Sequence, residues 1–527
     1  MVRYLENLTL NQYLFHYLHA NYLNIPLIAR ITYSDLCAAN RLGKQASMFN
    51  IQSKEAFVEN KATGNNAAQS TEHSAKDETA NNHFPYLPDT DADRQAMLKA
   101  IGVDSFDELI KDIPASVRAK PLELPPSMSE LELVDAISKL AKKNNPASNQ
   151  MNFLGGGSYR RFVPSIVPAV VSRSEFATAY TPYQAEISQG NLQTIYEYQT
   201  AICLLTNMDV ANASMYDGPT ACGEAALMAS RLTGKKKIVV SSTLNPEYEA
   251  VTSTYVHACD LRAEKLELDN GATPHSQIDN ETAAVIVQYP NYFGIIEDLK
   301  TLAETVHQAE ALLIVVVDPV SLGYLSPPGD FKADIVVGDA QSCGNYLSFG
   351  GPSAGFMACR QEFVRQLPGR LVGATLDSCQ RRAYTLTLQA REQHIRRAHA
   401  TSNICTNQAL NALAMLVYLS ALGPQGLKAI ANLSLQKAHY LADQLSRIPG
   451  VMLAFKRPYF SEFAIVTPKP AKRVLKHLSE KGILGGLDLS NSSAALNNGI
   501  LIAVTEMNKK DELDAYAREL QSVLNMQ

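Results

Sequence analysis

A turn that leads into a helix holds the first residues that could do chemistry. From Tyr216 to Ala225 the chain reads YDGPTACGEA, which places a glycine turn and the hydroxyl of Thr220 beside the free N–H groups of a helix N-terminus. Such a terminus attracts anions and could hold a phosphate ester. The alternative is an ordinary helix start with Asp217 as N-cap and Pro219 in the first turn. Because Pro219 lacks an N–H donor, the residues alone favour the ordinary cap.

A second candidate is Asp318, which follows the apolar run from Leu312 to Val317. A carboxylate at this point could pair with a protonated pyridine nitrogen and strengthen its electron-withdrawing power, as pyridoxal phosphate chemistry requires. An Asp-Pro turn that ends a strand accounts for the same residues equally well. The residues alone leave both interpretations open.

Pyridoxal phosphate enzymes also need a lysine that forms a Schiff base with the cofactor. No lysine occurs from Ala333 to Leu427, although this part of the chain is typical of the second half of such a cofactor domain. Lys332 precedes the predicted strand Asp334 to Gly338 instead of following it, which is typical of an exposed loop residue. We therefore expect the chain to depend on a partner for any covalent step.

Two further motifs carry reactive or recognition groups. Gly351 to Gly355 matches G-x-S-x-G, with Asp377 and His394 following in the order of an α/β-hydrolase, so a serine hydrolase using Ser353 is an alternative. A nucleophile elbow needs a helix after the serine, whereas Phe356 to Ala358 is predicted as a strand, and a glycine-rich turn is favoured.

The other motif is a polar and aromatic stretch that contains Arg173, Tyr180 and Tyr183. The arginine could bind a carboxylate through two parallel hydrogen bonds, and the tyrosines could add directed hydroxyl groups. The alternative is a loop that packs against a neighbouring subunit. Both roles can hold together, so these three residues are predicted as substrate or interface residues.

Composition narrows the class of protein. The chain has 527 residues, 46% hydrophobic and 19% charged, with a formal net charge of -5, which indicates several globular domains and argues against nucleic-acid binding. Eight cysteines are scattered without zinc-type spacing, which is typical of a reduced cytoplasmic protein and predicts no metal site. The apolar run Ala311 to Val317 is too short to cross a membrane, and none is expected.

The predicted elements fall into five segments. Residues 1–83 form an unassigned, partly disordered extension, and residues 84–150 form a helical arm. Short apolar strands alternate with helices over residues 151–405, which predicts a large α/β domain with a mostly parallel sheet. A connecting helix over residues 406–430 precedes a small α+β domain over residues 431–527. This arrangement suggests an aspartate-aminotransferase-like fold, the fold type I of pyridoxal phosphate enzymes, which alone assigns no function.

Five phrases then carry a family resemblance: Pro88 to Asp112, Phe153 to Asn191, Met208 to Gly218, Val287 to Asp298, and Arg391 to Leu410. In order and wording they resemble subunit 1 of the two-subunit glycine dehydrogenase (decarboxylating), the P-protein of the glycine cleavage system. The most specific are TAYTPYQ followed by EISQG, and IRR followed by ATSNICTNQAL. The resemblance extends from Phe84 to the end of the chain and leaves residues 1–83 outside it.

The resemblance implies an activity and a set of partners. The P-protein decarboxylates glycine on pyridoxal phosphate, releases carbon dioxide and transfers the aminomethyl group to the lipoyl group of the H-protein. The cofactor lysine lies in a homologous subunit 2, and the equivalent loop here, Val336 to Asn345, has no lysine. The resemblance further implies a heterotetramer, working with H-, T- and L-proteins. A non-catalytic scaffold subunit of the same complex is the alternative.

Overall fold

The computed structural model describes residues 89–120, 125, 127–275, 278–492 and 496–526. The predicted extension over residues 1–83 lies outside these ranges. The described residues fall into two compact units, one ending at Asn144 and the other starting at Asn145. The predicted domain boundaries at 150/151, 405/406 and 430/431 stay predictions.

The first unit is helical over the part described. Its helices are α1 (Asp91–Ile101), α2 (Phe106–Leu109) and α3 (Glu130–Ala141). Thr90 and Ser129 each cap a helix. The side chain of the cap residue accepts from an N–H of the first turn, and the carboxylate of Asp93 or Glu132 accepts from the backbone N–H of the cap residue. None of the residues in these three helices is buried. Capping, not burial within this unit, is therefore what fixes the ends of α1 and α3.

The strands of the second unit follow the apolar runs of the sequence. In chain order they are β1 (Met151–Asn152), β2 (Val210–Ala211), β3 (Lys237–Ser241), β4 (Arg262–Leu266), β5 (Thr282–Tyr289), β6 (Leu312–Val317), β7 (Ile335–Asp339), β8 (Gly355–Cys359), β9 (Val372–Leu376), β10 (Arg382–Leu386), β11 (Met452–Leu453), β12 (Glu462–Val466), β13 (Ile483–Leu484), β14 (Leu487–Asp488) and β15 (Gly499–Ala503).

Seven of these strands form the central sheet in the order β2-β8-β7-β6-β5-β3-β4. Strands β3 to β7 run parallel to one another, while β8 pairs antiparallel with both β7 and β2. The prediction of a mostly parallel sheet is confirmed. Both faces are covered, since Val315 and Val317 lie in one apolar core while Ile314 and Val316 lie in another.

Helices close both faces of this sheet and the smaller one. Those of the second unit are α4 (Ile166–Val171), α5 (Ser174–Ala177), α6 (Gln189–Thr206), α7 (Gly218–Thr233), α8 (Pro246–Ala258), α9 (Leu299–Gln308), α10 (Gln393–Arg396), α11 (Ala409–Ser446), α12 (Ala471–Glu480) and α13 (Lys510–Asn525). Buried residues of α6, α9 and α11 join one core, and those of α7 and α8 join the other.

Helix α11 connects the large sheet with the C-terminal part of the chain. Gly423 interrupts it with non-helical angles (φ 59, ψ -177), directly before Pro424. By length and composition, α11 is long and apolar enough to cross a membrane. Its buried residues, among them Met415, Tyr418 and Leu441, pack into two protein cores instead.

The C-terminal part contains a second, antiparallel sheet in the order β11-β12-β15-β14. Helices α12 and α13 cover it through a core that includes Phe463, Ile500 and Tyr516. Strand β1 pairs with β13, so the start of the second unit is built into this part of the fold. The backbones of Ile296 and Phe460 bind Pro458 and Gly294, respectively, which ties the small sheet to the segment after β5.

The junction at Gly294 gives a stability prediction. Gly294 has φ +82, and an added Cβ would lie 1.9 Å from the backbone oxygen of Glu462. Gly482 has φ +73 but no heavy atom within 4 Å of such a Cβ. We expect Gly482→Ala to cost about 1–2 kcal/mol of unfolding free energy from backbone strain alone. Gly294→Ala should cost clearly more, because the β12 backbone must also move. Urea unfolding of the two variants measures the difference, and equal losses would contradict the contact.

Candidate functional site

The N-terminus of α7 is the first candidate for an anion site, and its donors are already used. Asp217 caps the helix by accepting from the Thr220 N–H at 2.8 Å, and the Thr220 hydroxyl in turn accepts from the Asp217 N–H at 3.2 Å. The Ala221 N–H donates to the Asp217 carbonyl, and Pro219 has no N–H. The ordinary helix cap is therefore the arrangement observed, and Thr220 offers no free group to a ligand.

The remaining donor, the Gly218 N–H, binds a carboxylate of the chain itself. Asp339 ends β7 and accepts from Gly218 at 2.9 Å, from the Gln341 N–H at 2.8 Å and from the Ser353 hydroxyl. Burial raises the pKa of Asp339, although each of these hydrogen bonds favours the charged form. An internal anion thus lies where a phosphate group would bind the helix terminus.

Asp318, at the end of the neighbouring strand β6, is occupied in a comparable way. One carboxylate oxygen accepts from the Ser342 hydroxyl at 2.7 Å and from the Val320 N–H at 3.2 Å. The other oxygen lies 3.6 Å from Nη2 of Arg161. The guanidinium supplies the positive charge that a pyridinium nitrogen would bring to this carboxylate.

Arg161 is the centre of a buried polar network. Its side chain is 2% exposed, and Nη1 lies 2.7 Å from Glu506 and 3.2 Å from the Ser434 hydroxyl. Although burial opposes it, the charges of Asp318 and Glu506 raise the pKa of Arg161. The guanidinium also lies over the ring of Tyr159, 5.5 Å from its centroid.

Tyr159 extends this network to Glu462 on β12. The tyrosine hydroxyl donates to Glu462 at 2.7 Å, and the Gly156 N–H donates to the other carboxylate oxygen at 2.7 Å. Burial raises the pKa of Glu462 to about 7 and holds the pKa of Tyr159 well above its usual value. Glu462 therefore changes its charge near neutral pH within the fold.

The groups at the N-terminus of α7 and at the ends of β6 and β7 form a cradle, and their contacts decide whether this cradle fits pyridoxal phosphate. The N–H groups at the start of α7 are bonded within the chain, Asp318 faces Arg161, and the sequence offers no lysine from Ala333 to Leu427. Lys332 is exposed in the loop before β7, as predicted. As they are bonded here, these residues do not fit the cofactor, and the role of Thr220 and Asp318 in binding it stays a prediction.

The predicted substrate or interface residues lie around a surface cleft. Tyr180 and Tyr183 are 69% and 78% exposed, and both line a cleft of about 310 Å³ that is closed on its other side by residues at the start of α11. Arg173 precedes α5, and its guanidinium lies 2.6 Å from exposed Glu175. The structure brings the two tyrosines together at one cleft, which Arg173 does not line.

The alternative of a serine hydrolase lacks its geometry. Ser353 precedes strand β8 and not a helix, and its hydroxyl donates to Asp339. Asp377 pairs with Arg381, and Nδ1 of His394 lies 3.9 Å from the carboxylate of Glu392. Among the described residues there is also no group of three or more His, Cys, Asp or Glu placed to hold a metal ion.

Sequence reasoning missed the residues that fill the cradle. Asp339 stands at the end of a buried strand next to the strand that ends in Asp318, which is the signal that could have identified it, because parallel strands end at one edge of a sheet. Arg161 and Glu462 gave no comparable signal, since their partners lie far away in the sequence.

Comparisons with known proteins identify the family of this chain. A profile of the family described as "Glycine cleavage system P-protein" matches residues 85–520. The chain is 48% identical over 445 residues to the "Probable glycine dehydrogenase (decarboxylating) subunit 1" of Chloroherpeton thalassium, covering 84% of this chain and 100% of that protein.

Solved structures give the same result. The chain is similar, with a TM-score of 0.76 and 44% identity, to a crystal structure of glycine decarboxylase (P-protein) of the glycine cleavage system in inhibitor-bound form, covering 83% of this chain and 100% of the other. A NifS-like protein matches with a TM-score of 0.53 and 12% identity, over 71% of this chain and 99% of the other, and that likeness concerns the fold alone.

The raised pKa of Glu462 gives a pH prediction. Because its folded pKa is about 7 against a reference of 4.5, the folded state binds a proton more tightly than the unfolded state. The free energy of unfolding should therefore fall as pH rises from about 4.5 to 7, by up to about 3 kcal/mol. Glu462→Gln should make this decline clearly smaller, leaving only the part due to other buried carboxyl groups with raised pKa values, such as Asp339, whereas Glu480→Gln, at an exposed position in α12, should retain it in full. Urea unfolding at several pH values measures both, and an undiminished decline in Glu462→Gln would contradict the assignment.

Proposed function

Because the chain belongs to the glycine cleavage system P-protein family, we propose that it works as one subunit of a two-chain enzyme whose other, homologous chain carries the cofactor. The chain is a subunit of glycine dehydrogenase (decarboxylating), and its fold is the aspartate-aminotransferase-like α/β fold. The curated relative is itself a subunit 1, which implies a second subunit.

The proposed reaction is the decarboxylation of glycine, with release of carbon dioxide and transfer of the aminomethyl group to the lipoyl group of the H-protein. Pyridoxal phosphate would supply the electron-withdrawing group of this reaction in the assembled enzyme, bound covalently to the partner subunit. The T- and L-proteins would act in the same system. We further propose a cytoplasmic heterotetramer of the two kinds of subunit.

The assignment of the cofactor to the partner rests on the contacts of two carboxylates. The anion site at α7 is filled by Asp339, and the carboxylate of Asp318 is neutralised by Arg161. Replacing such internal partners by a ligand would leave a buried charge without its counter-ion, which costs several kcal/mol. The absence of a lysine after β7 points the same way.

Tyr180, Tyr183 and Arg173 are proposed as the part of this chain that faces the partner or its substrate. Large, exposed aromatic side chains beside a cleft are typical of the residues that contribute most to protein interfaces. The two tyrosines combine a ring, which can be buried against a partner, with a hydroxyl that can reach a polar group. A scaffold subunit that only stabilises its partner is the alternative and would use the same surface.

Reconstitution tests the proposed division of labour. The isolated chain, incubated with pyridoxal phosphate, should show no internal-aldimine absorbance and no glycine–bicarbonate exchange, because no lysine lies from Ala333 to Leu427 and the N–H groups described at the start of α7 are bonded within the chain. Exchange should appear when the purified partner is added. After borohydride reduction, mass spectrometry should find the reduced cofactor on the partner only.

A reduced cofactor adduct on this chain, in the absence of the partner, would contradict the proposal. The partner alone serves as the control for exchange. Full exchange by the partner alone would favour the scaffold alternative, since this chain would then add nothing to the chemistry.

The two exposed tyrosines give a separate prediction. Tyr180→Ala combined with Tyr183→Ala should weaken association with the partner about tenfold or more, because buried aromatic residues often contribute 2 kcal/mol or more to an interface. Sedimentation or calorimetry measures the dissociation constant. Tyr324→Ala, at a tyrosine that is 51% exposed and outside this cleft, is the matched control. An unchanged dissociation constant in the double variant would contradict the interface role.

A further inference from the structure

A second cleft lies beside the aromatic one and contains a buried cation with free donors. The chain segments after β8 and around α10 line it, including Arg370, Arg391, Glu392 and Cys405, and Asn407 borders both clefts. Neither the cradle residues nor Tyr180 and Tyr183 line it. The proposed reaction therefore gives this cleft no role.

Arg391 presents one edge of its guanidinium without partners. The residue is 8% exposed, and its Nη1 donates to the Leu367 carbonyl. Within the described residues, Nε and Nη2 have no hydrogen-bond partner. These two nitrogens form the edge that binds both oxygens of a carboxylate in parallel. Burial without a partner lowers the pKa of Arg391 and costs free energy for each unsatisfied donor, so such an edge points to a ligand.

The neighbouring charges restrict the ligand. Arg370 is used within the chain, since its guanidinium donates to the Asn407 side chain and the Cys405 carbonyl, both at 3.2 Å. Glu392 contributes a carboxylate whose Oε1 is buried and unpartnered among the described residues, and His394 lies 3.9 Å from its other oxygen. The two arginines and Glu392 leave one net positive charge, and the neighbouring carboxyl of Glu224, which accepts from Ser402 of the lining, has a pKa raised by burial. A single negative charge balances the net positive charge, whereas a dianion would be repelled by Glu392.

The size of the cleft points to the same class of ligand. Its free volume is about 20 Å³, which is little more than a bound water needs. A carboxylate head can enter, but a larger body must stay outside. We propose that this cleft binds the carboxylate group of a small, singly charged organic acid through the Nε and Nη2 edge of Arg391. The lining residues described here all belong to this chain.

Cys405 makes the proposal testable, because it is exposed and lines the cleft. Iodoacetate carries a carboxylate, and iodoacetamide is its neutral counterpart. Both alkylate thiols, so the thiolate displaces iodide and forms a carbon–sulfur bond. The full-length chain is treated with each reagent, and peptide mapping gives the rate at each cysteine. Exposed Cys259 and Cys379 provide references in the same molecule.

We expect the ratio of iodoacetate to iodoacetamide rates to be about tenfold higher at Cys405 than at the two reference cysteines. Acetate should protect Cys405 from both reagents, whereas inorganic phosphate at equal ionic strength should protect no better than sodium chloride. Arg391→Lys keeps the charge but removes the two-donor edge, so it should abolish the preference. Thermal unfolding of this variant checks that it folds.

Three results would overturn the proposal. One is an equal rate ratio at all three cysteines, and another is protection by phosphate that matches protection by acetate. The third is an unchanged preference in a folded Arg391→Lys variant, which would reduce the effect to general charge attraction. The competition with acetate in the unaltered chain requires no variant and decides the matter if Arg391→Lys fails to fold.

Discussion

The buried guanidinium of Arg161 is the constraint that the arrangement of the second unit depends on. A charge that is 2% exposed cannot remain without counter-ions, because the cost of desolvating it amounts to several kcal/mol. Its counter-ions come from different parts of the chain: Asp318 follows β6 of the central sheet, and Glu506 follows β15 of the small sheet. Ser434 of α11 adds a third contact. One side chain thus links the two sheets and the helix between them. The same contacts position the glycine-rich segment that precedes Arg161 in the chain.

The same network shows how a fold shared with pyridoxal phosphate enzymes can bond its polar groups to one another. The strand ends of an α/β sheet and the N-terminus of α7 gather polar groups at one edge, which normally creates a ligand site. Here Asp339 and Arg161 satisfy those groups from within the chain. The Gly218 N–H and the carboxylates of Asp339 and Asp318 are thereby paired within the fold, and under the proposed function the chemistry is left to another chain. Fold and activity are separable in this family of architectures.

The sequence reveals those features that depend on local pattern. Strands β6 and β7 and the helix capped by Asp217 follow from apolar runs and a capping residue, and the structure confirms them. The missing lysine can be read directly. Glu462, by contrast, pairs with Tyr159 across 303 positions, and no local pattern encodes such a contact. Arg173, Tyr180 and Tyr183 are proposed to face a surface outside this chain, and local sequence patterns do not define such a surface.

The filled helix terminus also limits how this chain could change. Restoring an amine after β7 would provide a nucleophile for an aldehyde, but the Gly218 N–H would still be bonded to Asp339. A phosphate group brought to that point would meet a carboxylate of like charge, and Asp318 would still prefer Arg161. Recovery of an independent vitamin B6 enzyme would therefore require several simultaneous substitutions, each of which first breaks a contact that supports the fold. Under the proposed function, dependence on a companion chain would in this physical sense be hard to reverse by single steps.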